Sequence, residues 1–232
     1  MSETTDALES MGGDTFELEP KPEPKPALPA FWVTHLAKAL VGEQPCLLSP
    51  WLSGRQKFPA RGDGATLALW KTQHTALLHD TVRRYQADGW TCDVERYFRV
   101  TGERAIISGK ADLILRHRDM RPVVLDAKSG LPRESDLAQV MIEMILMPLA
   151  WTSPGLIFSG LVVYLDHKVP VTPAQAEALR PKLFALVRRL ATTDRQPAAP
   201  SESACKFCNV PASECSERWT EDQGSAAVTK EF

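Results

Sequence analysis

Two strand-like stretches carry the residues best suited to chemistry. One reads Ile107-Ser108-Gly109-Lys110-Ala111-Asp112-Leu113-Ile114-Leu115, and the next reads Val123-Val124-Leu125-Asp126-Ala127-Lys128. Each is apolar, yet each carries an acid. Paired as an antiparallel hairpin, they bring Asp112 and Asp126 together at one end of a sheet. Two carboxylates with carbonyl and water oxygens suit a hard cation, Mg2+ or Mn2+. Lys128 lies two residues beyond Asp126, so strand alternation puts both side chains on one face. The grouping suits phosphodiester hydrolysis. A metal lowers the pKa of its bound water and clamps a phosphate oxygen, while a lysine orients that water and offsets developing charge. The plain alternative for an isolated D-x-K is a salt bridge, since acids left unpartnered in apolar strands are costly.

The helix expected over residues 134–150 is apolar nearly all round, which marks it as buried. Its internal polar residues are Gln139 and Glu143, four apart on one face, and Asp136 continues the stripe. A buried polar stripe needs partners, and the D-x-K strand just before it is the natural source.

There are five cysteines. Cys205, Cys208 and Cys215 cluster near the C-terminal end, and Cys46 is the obvious fourth thiolate for a tetrahedral set. Four thiolates suit a [4Fe–4S] cluster or structural Zn2+, and spacing alone does not separate the two. Such a site would staple most of the domain and add metal-binding free energy to folding. Cys92 lies in a strand and reads as a small buried hydrophobe.

The elements that must position these groups follow from periodicity. A short helix is expected in the segment FWVTHLAKALVG. Residues 47–64 look loop-like, broken by Pro and Gly. A helix over about 66–88 puts Leu69, Leu77, Leu78, Val82 and Tyr85 on one face, with Gly89 as its stop. Strands are expected near 91–100, 104–116 and 122–127, a further buried strand over 156–165, and an amphipathic helix over 172–190 with Pro173 in its first turn. This order predicts an α/β domain, a mixed sheet flanked by helices, with a C-terminal cysteine-rich metal-binding tail. The expected organisation is an acidic, Pro-rich disordered tail at 1–29, a catalytic domain at 30–200, a cysteine-rich segment at 201–218 that completes the cluster with Cys46, and a flexible tail at 219–232.

The net charge of −2 is unevenly spread. Residues 1–29 hold seven acids against two lysines, and residues 201–232 hold six acids against three bases, which leaves 22 bases against 16 acids between them. A basic body can face phosphate despite acidic ends. Arg55, Lys57, Arg61, Arg83 and Arg84 are phosphate-binding candidates, each equally readable as a solvated surface charge. No apolar run reaches membrane-spanning length and no secretory signal is evident, so a cytoplasmic protein is expected.

Gly109-Lys110-Ala111-Asp112 followed by Asp126-Ala127-Lys128 resembles the signature of the PD-(D/E)XK nuclease superfamily, and most closely its RecB-like exonuclease branch. That resemblance implies a restriction-endonuclease-like fold and a metal-dependent exonuclease acting on single-stranded or end-frayed DNA. It implies a metal-site histidine on the upstream helix, for which His74 stands in place and His79 competes, and it implies a role for Gln139. It also points to Glu95 as a further acid. Where the branch has Tyr four residues after the glutamine, this chain has Glu143. Iron–sulfur members of the branch place one cysteine before the nuclease core and three after it, as here, which favours [4Fe–4S] over zinc. Narrower expectations are trimming of DNA for CRISPR spacer acquisition with integrase partners, or work beside a helicase. The contrasting expectation is a non-catalytic DNA-binding module of the same fold.

Overall fold

The computed structural model describes residues 27–59, 64–153 and 155–220. Most of the 1–29 segment, Arg61 and residues 221–232 therefore lie outside the described residues.

The chain begins with β1 (Ala30–Trp32), α1 (Val33–Leu40), α2 (Leu48–Ser53) and α3 (Gly64–Ala87). Three consecutive strands follow: β2 (Thr91–Thr101), β3 (Ile106–His117) and β4 (Met120–Lys128). Next come α4 (Glu134–Ala150), β5 (Ser159–Tyr164), β6 (Lys168–Val171), α5 (Pro173–Leu190) and α6 (Glu202–Lys206). The six strands form one mixed sheet along the path β1-β3-β4-β5-β6, with β2 paired to β3. β1 runs parallel to β3 and β4 parallel to β5, while the other pairings are antiparallel. The β4–α4–β5 unit supplies the crossover that a parallel pair requires.

Local chemistry explains the helix ends. α3 stops at Gly89, whose φ of +82° is one that glycine adopts freely. The Trp90 N–H then reaches back to the Tyr85 carbonyl at 3.0 Å, as in a Schellman motif. α5 starts at Thr172, whose hydroxyl accepts from Gln175 N while the Gln175 side chain accepts from Thr172 N at 2.8 Å. Pro173 follows at the first helical position, where a missing N–H costs nothing.

Strand alternation sorts the core onto two faces. Leu113, Leu115, Leu125 and Val163 face α3 and pack with Leu78. Ile114, Val124, Val162 and Tyr164 face the other way, into the larger core formed with α1, α4 and α5. α4 is the keystone of that layer. Its Ile142, Leu146 and Met147 are fully buried, each contributing about 1.5–3 kcal/mol of apolar burial. Gly160 on β5 lets α4 come close, since a Cβ there would stand 2.5 Å from Val140 Cγ1 and 2.6 Å from Met144 Sδ. No helix among the described residues is long and apolar enough to cross a membrane.

The helices differ from expectation in three places: Phe31 and Trp32 belong to β1 rather than to the first helix, α6 forms in the cysteine-rich segment, and α2 forms where a loop was expected. Residues 47–64 do not form only loop, because α2 forms within them. Trp51 Nε1 donates to the Thr192 carbonyl at 3.0 Å. Arg55 lies over the Trp51 ring at 4.1 Å and donates to the Leu190 and Thr192 carbonyls at 3.1 and 2.6 Å. Leu190 is the last residue of α5 and Thr192 lies just past its C-cap, so Arg55 helps to satisfy the carbonyls where that helix ends. The mixed sheet flanked by helices agrees with the expected α/β layout.

Candidate functional site

β3 has two partners on one edge. β4 pairs with it through Leu113↔Leu125 and beyond, toward the turn, while β1 pairs with it at Ile106, Ile107 and Ser108. Between them the edge is open. In the register of this hairpin Asp112 and Asp126 would be the next facing pair, and they lie where the two strands part. Gly109 also lies in the gap, where a Cβ would stand 2.5 Å from Phe98 Cζ and 2.9 Å from Val33 Cγ2.

Asp112 bridges the fork. Its Oδ2 accepts the Ala127 N–H at 2.9 Å, and its Oδ1 lies 3.6 Å from His74 Nε2, which reaches in from α3. Trp70, one turn earlier, stacks on His74 with centroids 5.1 Å apart. His79 is exposed on the same helix.

Asp126 and Lys128 share one face, as alternation requires, with Lys128 Nζ 2.7 Å from Asp126 Oδ2. Gln139 Nε2 donates to Asp126 Oδ1 at 2.9 Å and to Glu143 Oε1 at 3.2 Å. Gln139 Oε1 lies 3.4 Å from both Lys128 Nζ and Thr34 Oγ1. The polar stripe of α4 thus meets the D-x-K strand. Its third member, Asp136, lies 4.0 Å from Lys128 Nζ and accepts from Arg133 N at 3.0 Å and Tyr164 Oη at 3.1 Å. Thr34 and Tyr164 had no distinguishing signal in the sequence, because each reads locally as an ordinary helix or strand residue.

Burial shapes the charges. Asp126 is 1% exposed, and burial, with the neighbouring Asp112 carboxylate, pushes its pKa up to about 7 against the pull of Lys128. Burial and the carboxylates of Asp126 and Asp112 also hold Glu143 well above the ordinary range. For Lys128, burial opposes the charge, but Asp126, Asp136 and Asp112 outweigh it and raise its pKa. The Asp112 carboxylate raises His74 against the effect of burial. Three of the four buried side-chain atoms without a hydrogen-bond partner among the described residues belong to this cluster: His74 Nδ1, Asp126 Oδ2 and Glu143 Oε2. Asp126 Oδ2 has the Lys128 ammonium 2.7 Å away as its ion-pair partner, and that contact pulls the Asp126 pKa down against burial.

The cofactor expectations are corrected. Among the described residues no group of three or more His, Cys, Asp or Glu side chains is arranged to hold a metal ion. That finding overturns the [4Fe–4S] cluster, its Zn2+ alternative and a ready-made Mg2+ or Mn2+ centre on Asp112, Asp126 and His74. At the fork the reason is plain. The Ala127 N–H and the Lys128 ammonium already engage oxygens that a cation would need. Cys46, Cys205, Cys208 and Cys215 do line one apolar cavity of about 10 Å3, as free thiols. Cys208 Sγ donates to Ser49 Oγ at 3.4 Å, and Cys205 Sγ accepts from Trp219 N at 3.4 Å. The expected cysteine-rich metal-binding tail is accordingly a thiol-lined packing contact between the C-terminal segment and α2. Cys92 is half-buried. Glu95, across from Asp112, adopts a φ of +52° and pairs with Lys110 at 2.6 Å on the exposed side of the sheet.

No family model and no curated protein matches the sequence. Among solved structures, the chain is similar to the crystal structure of SSO0001, with 18% identity, a TM-score of 0.44, and coverage of 84% of this chain and 89% of that one. It is also similar to an alkaline exonuclease, LHK-Exo, from Laribacter hongkongensis, with 12% identity, a TM-score of 0.41, and coverage of 69% and 87%. Both likenesses are distant. The assignment to an iron–sulfur branch of RecB-like nucleases does not stand, because no metal-ready group is found among the described residues.

Proposed function

We propose that this chain hydrolyses DNA phosphodiesters at the strand fork, removing nucleotides from single-stranded or frayed ends. One observation carries the reading: a lysine and a carboxylate 2.7 Å apart, beside a second acid, where buried polar atoms lack partners. A buried ion pair is costly as structure alone, and the cluster around this one leaves His74 Nδ1 and Glu143 Oε2 without hydrogen-bond partners among the described residues.

Each group has work it can do. Lys128 is a quarter exposed at its side chain and offers its charge to a non-bridging phosphate oxygen. Asp126, with a pKa of about 7, is poised to take a proton from water near neutral pH. The water oxygen forms the new bond to phosphorus, its proton passes to Asp126, and the bond to the departing strand oxygen breaks, that oxygen taking a proton from solvent. Gln139 fixes the Asp126 carboxylate by its hydrogen bond. Asp112 and His74 hold the other wall of the fork.

The test is digestion of end-labelled single-stranded and duplex DNA with Mg2+, with Mn2+ and with chelator. Wild type is expected to release nucleotides from single strands. Asp126→Asn and Lys128→Ala are each expected to cut the rate by at least about 100-fold. Inert wild-type protein on every DNA form and in every ion condition refutes the reading.

A further inference from the structure

Beside the fork lies an open cavity of about 720 Å3, where the end of α1, the loop before α4 and the end of α6 meet. Lys38, Arg133 and Phe207 are among the residues that line it. Phe207 is 80% exposed, and Lys206 Nζ stands 5.8 Å from its ring. An aromatic ring presented to solvent beside cations contributes nothing to the core.

The cations of this cavity are not tied up in direct ion pairs. Neither the Lys38 nor the Arg133 side chain forms a salt bridge among the described residues. The acid in the same wall is Glu43, and both its oxygens are engaged, accepting from Ser135 N at 2.9 Å and Ser135 Oγ at 2.7 Å. Lys38 is half-buried, and after burial itself the charges of Arg133 and Lys128 act to lower its pKa, with Glu43 and Asp136 opposing. Arg133 and Lys128 thus lie near enough to Lys38 for their charges to act on it. The cavity is linked to the fork through Asp136. The Arg133 backbone N–H is bonded to Asp136, whose other oxygen faces Lys128.

We infer that this cavity is a subsite for one unpaired nucleotide of the DNA strand next to the scissile phosphate, its phosphate on Lys38 and Arg133 and its base on Phe207. The volume suits a nucleotide-sized ligand. The cations match a phosphodiester, and a flat ring stacks on a base only when that base is free of its own duplex stack. The site therefore selects single-stranded over duplex substrate. This inference rests on the proposed nuclease reading for its choice of DNA as the ligand.

The experiment measures binding apart from cleavage. A fluorescent oligothymidylate, and a duplex of equal length, are titrated with the full chain in chelator, by anisotropy, over a range of salt. Wild type is expected to prefer the single strand. Phe207→Ala is expected to weaken single-strand binding about 5- to 100-fold and to leave duplex binding alone. Because the ring is exposed, the fold should survive, and a thermal melt checks it. Lys38→Ala and Arg133→Ala are expected to weaken binding and to lower the slope of log affinity against log salt by about one each. Variants that bind the strand as wild type does overturn the subsite, whatever peptide or lipid the cavity then takes. Strand binding that depends on Phe207 in a protein inert toward all DNA sinks the hydrolytic reading alone. Cleavage with Phe207-independent binding sinks the subsite alone.

Discussion

Asp126→Asn separates the proton chemistry of the fork from its packing. In the folded chain burial lifts the Asp126 pKa from 3.8 to about 7. Between pH 5 and pH 7 the folded state then keeps a proton that the unfolded state has released, so this group makes stability fall as pH rises. The slope is about 1.4 kcal/mol per pH unit and flattens above pH 7, so the fall across pH 5–8 is on the order of 3 kcal/mol. Asparagine removes the titration while its side-chain oxygen can still accept from Gln139 Nε2, now 2.9 Å from Asp126 Oδ1. The variant also gives up the ion pair to Lys128, which shifts absolute stability by an amount that does not follow pH in the same way. The diagnostic is therefore the difference between wild type and variant at each pH. Urea unfolding followed by tryptophan fluorescence at pH 5, 6, 7 and 8 measures it. The difference should move in favour of the variant by about 3 kcal/mol from the acid end to the alkaline end. A flat difference curve would mean that Lys128 outweighs burial and that Asp126 titrates as an ordinary carboxylate, which removes the neutral-pH base from the proposed chemistry.

Two further substitutions probe the frame around the fork. Gly109→Ala places a methyl group 2.5 Å from the Phe98 ring and 2.9 Å from Val33, and the repacking should cost roughly 1–3 kcal/mol in urea unfolding. Glu43→Ala deprives Ser135 N and Oγ of their acceptor; loss of this cap at the first turn of α4 should cost about 1 kcal/mol, read from the thermal midpoint by circular dichroism.

What the sequence exposed were features with a strong local period. Leu113, Ile114 and Leu115 announce a strand buried on both faces, and Gln139 with Glu143 on an apolar helix announce a polar stripe turned toward something. The spacing of Asp126 and Lys128 likewise settles their common face. The fork itself had no such signal. It exists because β1, three residues long, takes the stretch of the β3 edge that β4 leaves free, and a pairing between residues so distant in the chain leaves no mark on either. α2 was hidden for a related reason, since the contacts that support it, Trp51 and Arg55 against the end of α5, are non-local. The metal expectations went astray at the level of individual oxygen atoms. Residue types name the donors, but only the fold reveals that Ala127 N–H and Lys128 already claim them.

The Thr34 contact to Gln139 spans 105 positions, and the same small cluster also draws on α3, β3 and β4. A chain emerging from the ribosome holds no complete cluster until α4 has been made and has docked. A proteolytic product cut between α1 and α4 loses the cluster if its halves separate. Any hydrolytic output of this protein would therefore double as a report that its folding has finished, and immature or clipped copies would be silent rather than indiscriminate toward nearby nucleic acid.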